Sequence, residues 1–97
     1  MNAKIELIAQ LLYDIQMTIT YGKVSGDFYL KAFLKSRLDL IDDKVKKLEI
    51  DKTDKENILL LLNDLKNSIP SFNKKIFLAN NDALIKYLDF LLNFYNK

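Results

Sequence analysis

The sequence predicts an all-α protein, an antiparallel up-down four-helix bundle whose third helix is kinked or broken near Pro70. Apolar residues recur at alternating spacings of four and three, the period of one helix face. The clearest example is the stripe Ile58, Leu62, Leu65, Ile69, Phe72 and Ile76. The predicted connections are short, which places successive helices antiparallel. With 97 residues, residues 1–97 are predicted to form a single domain.

The first helix is predicted from Asn2 to about Thr20. Both glycines of the chain, Gly22 and Gly26, lie in the segment Tyr21 to Asp27. Glycine accommodates turns readily, so this segment is the predicted first connection. The apolar stripe of the helix comprises Met1, Ile5, Ile8, Leu12, Ile15 and Ile19, widened by Leu11.

The second helix is predicted from about Phe28 to Leu48. On its polar face, Asp42 precedes Lys46 by four residues, the favourable order for an ion pair along a helix. Asp43 and Lys47 repeat that spacing. The apolar stripe comprises Leu30, Leu34, Leu38, Ile41, Val45 and Leu48.

A capping box, Thr53-Asp54-Lys55-Glu56, predicts that the third helix starts at Asp54. Pro70 lies within the apolar stripe of this helix. Because proline removes a helical hydrogen bond and clashes with the preceding turn, we expect a kink or short break between Asn67 and Phe72. The side chains of Asn67 and Ser68 are candidates to satisfy the freed backbone groups.

Asn80-Asn81-Asp82 is the predicted last turn, with one asparagine capping the fourth helix. The stripe of that helix comprises Leu84, Leu88, Leu91 and Tyr95, broadened by Ile85 and Leu92.

The composition argues against an enzyme. The chain contains no His, Cys or Trp, so the commonest catalytic bases, nucleophiles and metal ligands are missing, and we expect no cofactor, metal or small-molecule substrate. Asp39, Asp42 and Asp43 cluster on helix two, but lysines lie within one turn of them. They are interpreted as a solvated polar face.

No export signal is expected, because residues 1 to 20 carry Lys4, Glu6 and Asp14 among the apolar positions. The longest aliphatic run, Ile58 to Leu62, is far shorter than the ~20 residues of a membrane-spanning helix. The absence of Cys fits a reducing compartment. The sequence therefore predicts a cytoplasmic protein.

The excess positive charge lies in the C-terminal quarter. Residues 72–97 contain four lysines and two aspartates, which together account for the whole net charge of +2. Phe90 and Phe94 lie four residues apart on a line distinct from the core stripe, next to Lys86 and Tyr87. Two interpretations remain open: the two rings complete the core, or they form a partner or membrane interface. The candidate partner-binding residues are Lys74, Lys75, Lys86, Tyr87, Phe90, Phe94 and Lys97.

A nucleic-acid partner is not expected, because a charge of +2 neutralises few phosphates and the chain has a single Arg. Helix four offers only Lys86, Asn93 and Asn96 as a recognition face. A small nucleic-acid-binding or regulatory module is kept as the alternative function, together with a phage or plasmid interaction module.

Two segments carry a family resemblance. The first comprises Asn2-Ala3-Lys4-Ile5 with Leu11-Leu12-Tyr13-Asp14-Ile15. The second comprises Asn73-Lys74-Lys75-Ile76 followed by Ala83-Leu84-Ile85-Lys86-Tyr87-Leu88. With the Lys-rich, His-free and Cys-free composition, these segments resemble the immunity proteins of pediocin-like bacteriocins, and the enterocin A immunity group in particular.

The resemblance implies a cytosolic four-helix bundle that protects the bacteriocin-producing cell. Its partner would be the complex of bacteriocin and membrane receptor, the mannose phosphotransferase permease, recognised at the inner membrane face. A peripheral membrane contact is compatible with that position. Specificity would depend largely on the C-terminal half. Members of the family commonly continue beyond the fourth helix into a tail, whereas this sequence stops at Lys97.

Overall fold

Four α-helices form an antiparallel bundle of 41 × 20 × 19 Å. The structure is a computed structural model that describes residues 3–22, 27–70 and 73–96, without the side chains of residues 20–22, 27–30 and 74. Within these ranges there is no strand. Each helix contacts two others, α1 with α2 and α4, and α3 with α2 and α4. The helices are α1 (Ala3–Gly22), α2 (Asp27–Lys46), α3 (Lys52–Asn67) and α4 (Lys74–Tyr95). The predicted fold class is confirmed.

One apolar core runs along the bundle and receives side chains from all four helices. Its members confirm most of the predicted stripes, since helical periodicity places them on one face. Leu12, Leu48 and Tyr95 are partly buried at its edge. Met1, the Leu30 side chain and Phe72 lie outside the description. The buried residues are Ile8, Leu11, Ile15, Ile19, Leu34, Leu38, Ile41, Val45, Ile58, Leu62, Leu65, Ile69, Phe77, Leu84, Leu88 and Leu91.

The first two helices differ slightly from their predicted bounds. Helix α1 extends to Gly22, which shortens the predicted turn, and α2 begins at Asp27. Residues 23–26, with the second glycine, lie outside the described ranges. Helix α2 ends at Lys46, whose Nζ lies 2.9 Å from Asp42 Oδ2 and confirms the predicted ion pair.

The predicted capping box at the start of α3 is wrong. The helix begins at Lys52, and Asp51 is the N-cap without a side-chain capping bond. Asp51 O accepts a hydrogen bond from Lys55 N at 2.9 Å, so Thr53 is already inside the first turn. The Asp51 carboxylate instead pairs with Lys4 Nζ of α1 at 3.3 Å. The Asp51 side chain is thus directed toward α1 and not toward the first turn of α3.

The break near Pro70 is confirmed, and it is the connection between α3 and α4. Helix α3 ends at Asn67, and Ser68 Oγ donates a hydrogen bond to Leu65 O at 2.6 Å, as predicted for that side chain. Helix α4 starts after Asn73, whose Oδ1 accepts from Ile76 N at 3.2 Å. Pro70 therefore separates two helices rather than bending one.

The predicted turn at Asn80-Asn81-Asp82 is wrong, because α4 runs through these residues without interruption. Asparagine and aspartate disfavour a helix interior by only about 0.7 kcal/mol each, which packing offsets. Phe77 is 4% exposed and Leu84 is fully buried, so residues on both sides of the segment lie in the core. Ile76 belongs to α4 and lies on a different face of that helix from Phe77. It is 55% exposed, although the sequence predicted it to be buried.

Candidate partner-binding surface

Four aromatic rings follow one another along the C-terminal half of α4. Tyr87 and Phe90 have ring centroids 6.1 Å apart, and Phe90 and Phe94 have centroids 6.2 Å apart. Phe94 meets Tyr95 edge to face at 5.6 Å. We call these four residues the aromatic row. Such ring separations are in the range of favourable aromatic pairs.

The two phenylalanines of the aromatic row are on the surface. Phe90 is 55% exposed and Phe94 is 56% exposed, whereas Leu88 and Leu91 are buried. Phe90 lies about 200° around the helix from Leu88, because each residue turns an α-helix by about 100°. The structure thus answers the question left open by the sequence: both rings lie outside the core.

A shallow, open depression of about 420 Å³ lies beside these rings and is lined by Lys86, Asp89, Phe90, Asn93 and Phe94. Lys86 and Asp89 are both exposed, so the apolar rings are bordered by one positive and one negative charge. An apolar centre with a charged rim is the usual composition of a protein interface.

The inner edge of the aromatic row is anchored to α3 by one carboxylate. Tyr87 Oη donates to Asp54 Oδ1 at 3.2 Å and accepts from Asn57 Nδ2 at 3.1 Å. Tyr95 Oη donates to Asp54 Oδ2. Lys4 Nζ of α1 lies 5.4 Å from the centroid of the Tyr95 ring. These contacts connect the C-terminal part of α4 to two neighbouring helices.

Burial, and secondly the hydrogen bond to the Asp54 carboxylate, raises the pKa of Tyr95 far above its usual value. Burial also raises the pKa of Tyr87, partly offset by the hydrogen bond from Asn57. Both phenols therefore remain protonated donors near neutral pH. The hydrogen bonds to Asp54 thus hold the C-terminal part of α4 against α3.

The structure exposes four large apolar or aromatic residues that the sequence did not assign to the surface: Tyr13, Leu40, Leu60 and Ile76. Ile76 is on α4, and Leu60 is on the neighbouring α3. Leu60 of α3 is 62% exposed. The hydrogen bonds Asn57–Tyr87 and Asn80–Asp64 set the antiparallel register of α3 and α4, which places Leu60 level with Leu84. The sequence contained a pattern that indicates a surface position for Ile76. Ile76, Ala83 and Phe90 recur every seven residues, so they lie on the same face of α4.

Some predicted partner-binding residues come together and others do not. Lys86, Tyr87, Phe90 and Phe94 lie on one part of α4, as predicted. Lys75 is exposed, but eleven residues separate it from Lys86, a rise of about 16 Å along the helix. The side chain of Lys74 and all of Lys97 lie outside the description.

Within the described ranges no helix combines the length and apolar character needed to cross a membrane. Those residues also hold no group of three or more His, Cys, Asp or Glu side chains that could bind a metal ion. Comparison of the chain with protein-family models, curated proteins and solved structures found no match.

Proposed function

We propose that this protein is a bacteriocin immunity protein. It acts in the cytosol and binds the bacteriocin-occupied membrane receptor, the mannose phosphotransferase permease, from the inner side. The observation that carries the proposal is the pair of exposed rings, Phe90 and Phe94, which are adjacent on one helix and are bordered by Lys86 and Asp89. The family resemblance of the sequence names the partner, and the aromatic row supplies the surface that would contact it.

The two exposed rings would contribute part of the free energy of binding a partner. Covering the exposed half of each ring would remove on the order of 100 Å² of apolar surface from water, about 2–3 kcal/mol per ring. Aromatic residues of this kind dominate the binding energy of many interfaces. Lys86 and Asp89 border the rings and would orient the partner more than they would strengthen binding.

The bundle also separates binding from folding. Leu84, Leu88 and Leu91 hold α4 in the core, while Phe90 and Phe94 project from another face of the same helix. The exposed residues can therefore be replaced without removing core contacts. That separation suits a protein whose specificity depends on a few residues of one helix.

The test is protection of a sensitive host that expresses the protein in its cytosol, measured against a panel of pediocin-like bacteriocins. Phe94→Ala should abolish protection and leave the melting temperature nearly unchanged. Tyr13→Ala is the matched control, because Tyr13 has the same exposed fraction, 56%, on α1. It should retain full protection.

Receptor binding is tested separately by co-purification with the permease, with and without bacteriocin. We expect recovery of the permease only when bacteriocin is present, and loss of that recovery in Phe94→Ala. If the wild-type protein protects against no member of the panel, the immunity function is wrong. Equal loss in Phe94→Ala and Tyr13→Ala would place the binding surface elsewhere.

A further inference from the structure

Helix α4 carries a second stripe of regularly spaced residues outside the core. Its members are separated by alternating intervals of four and three, the spacing of a seam between two packed helices. Phe90, Phe94 and Ile76 are more than half exposed, Ala83 is exposed, and Tyr87 and Asn80 are partly exposed. We call it the outer stripe: Ile76, Asn80, Ala83, Tyr87, Phe90 and Phe94. Within the described residues, α3 contacts the stripe through hydrogen bonds to Asn80 and Tyr87, whereas Ile76, Ala83, Phe90 and Phe94 are exposed.

We propose that the outer stripe binds the α4 helix of a second copy of this chain, in antiparallel orientation. Side-chain size is the reason. The rings occupy the C-terminal half of the stripe and smaller side chains the N-terminal half. A two-fold axis at Ile85 pairs each ring with a smaller residue of the second copy: Tyr87 with Ala83, Phe90 with Asn80, and Phe94 with Ile76.

A parallel pair would fit less well. It would place Phe90 against Phe90 and Phe94 against Phe94 at one end, and Ala83 against Ala83 near the middle. The first arrangement crowds the helices and the second leaves a gap, and both reduce packing quality. Both arrangements have the two-fold symmetry of a homodimer, so side-chain size is what favours the antiparallel pair.

The charges bordering the stripe fit the same register. Lys86 and Asp82 are both exposed and lie on the solvent side of α4. In the antiparallel pair, Lys86 lies about 3 Å along the axis from Asp82 of the second copy, given a rise of about 1.5 Å per residue. Each dimer would thus place two such opposite-charge pairs around the axis, against one pair of like charges, because the two Lys86 copies also lie about 3 Å apart along the axis.

The predicted dimer is weak. The stripe spans nineteen residues, a rise of about 27 Å along the helix, and is one helix wide apart from Leu60 at its edge. Such a contact is smaller than the roughly 800 Å² per partner of a standard interface. This inference rests on the proposed function in one respect: the dimer covers Phe90 and Phe94, so it would be a reserve form that dissociates before the receptor binds.

Cross-linking through a single introduced thiol tests the geometry, because the chain has no cysteine of its own. Lys86→Cys lies one residue from the axis, and a short bismaleimide should join two copies. Lys75→Cys is the matched control on the same helix, since its two copies would lie about 30 Å apart. Cross-linking of both variants would indicate a parallel pair and overturn the proposal, as would cross-linking of neither.

Analytical ultracentrifugation of the protein without cross-linker, at concentrations from about 10 μM to about 1 mM, measures self-association directly. We expect reversible dimers, and at least tenfold weaker association for Ala83→Glu, which places a charge beneath Tyr87 of the second copy. Leu40→Glu, on the exposed part of α2, should associate normally. Monomers throughout the range would overturn the proposal, and co-sedimentation of those monomers with phosphatidylglycerol vesicles would assign the stripe to a lipid surface instead.

These measurements use no bacteriocin, so they are independent of the immunity test. Protection without dimers would contradict only the dimer. Dimers without protection against any bacteriocin would contradict only the immunity function.

Discussion

Leu60 and Leu62 lie two residues apart on α3, but their surroundings differ completely. Leu62 is fully buried in the core, whereas Leu60 is 62% exposed. The two positions are about 200° apart around the helix. The same residue type therefore contributes to folding at one position and to the surface at the other.

Leu62→Asp should destabilise the protein by several kcal/mol, since it places an unpaired carboxylate in the core, and a domain of ordinary stability would unfold. Leu60→Asp is the control and should change the free energy of unfolding by no more than about 0.5 kcal/mol. Chemical denaturation followed by circular dichroism measures both. A folded Leu62→Asp variant with an unchanged transition would contradict the core assignment.

The Tyr95 hydroxyl predicts a change in stability at alkaline pH. Because the pKa of Tyr95 is raised in the folded protein above its ordinary value near 10, the folded state favours the protonated phenol. That contribution is complete below pH 10 and declines as pH rises further toward the folded pKa. Tyr95→Phe should lose about 1 kcal/mol at pH 7.

The pH dependence of Tyr95→Phe distinguishes this interpretation from simple loss of packing. The variant should show a shallower decline in unfolding free energy above pH 10 than the wild-type protein, since it lacks the titrating phenol. Tyr13→Phe, at an exposed position on α1, serves as the control. Parallel curves for the wild-type protein and Tyr95→Phe would contradict the role assigned to the hydroxyl.

At the scale of helices, the starts of α3 and α4 differ. Asn73 caps α4 through its side chain, whereas Asp51 precedes α3 without a side-chain capping bond. Pro70, in the connection, prevents the two helices from continuing as one. The sequence pattern had instead predicted a capping box at the start of α3 and a fourth helix that begins near Asn80.

Asn73→Ala should destabilise the protein by about 1 kcal/mol, because it removes the acceptor for the Ile76 amide. Thr53→Ala should change stability by less than about 0.5 kcal/mol, because Thr53 lies within the first turn of α3 and caps nothing there. The measurement is again the free energy of unfolding. A larger loss of stability in Thr53→Ala than in Asn73→Ala would indicate that the predicted capping box forms after all.

At the scale of the whole molecule, the charged residues of α4 are not equivalent. Lys86 lines the depression beside Phe90 and Phe94, whereas Lys75 lies about 16 Å away along the helix. The net charge of the C-terminal quarter was the sequence argument for a binding surface. The structure connects only part of that charge to the exposed rings.

Lys86→Gln should reduce protection against the bacteriocin, and Lys75→Gln should reduce it much less. Both substitutions remove one charge from α4, and neither should change stability by more than about 0.5 kcal/mol. Minimum inhibitory concentrations in the expressing host, with melting temperatures of the purified variants, provide the comparison. Equal losses would indicate that net charge matters rather than the position of Lys86.

Helical periodicity was sufficient to predict the bundle and most of its core. Ile58, Leu62 and Leu65 are buried, as their spacing indicates, and Pro70 lies where the third helix ends. Periodicity is a local property of the chain, since residues three and four apart share a face whatever that face meets. The fold class and the majority of the core were therefore determined by the sequence itself.

Tertiary packing decided where the helices start and which apolar residues remain outside the core. Asp51 pairs with Lys4 across the bundle, and the capping pattern beginning at Thr53 is not used. Phe77 enters the core and carries α4 through Asn80 and Asn81, which places Ile76 outside. These outcomes depend on contacts between residues far apart in the chain, and such contacts outweigh local preferences of about 1 kcal/mol. For the same reason, only the assembled bundle showed that Phe90 and Phe94 form a surface.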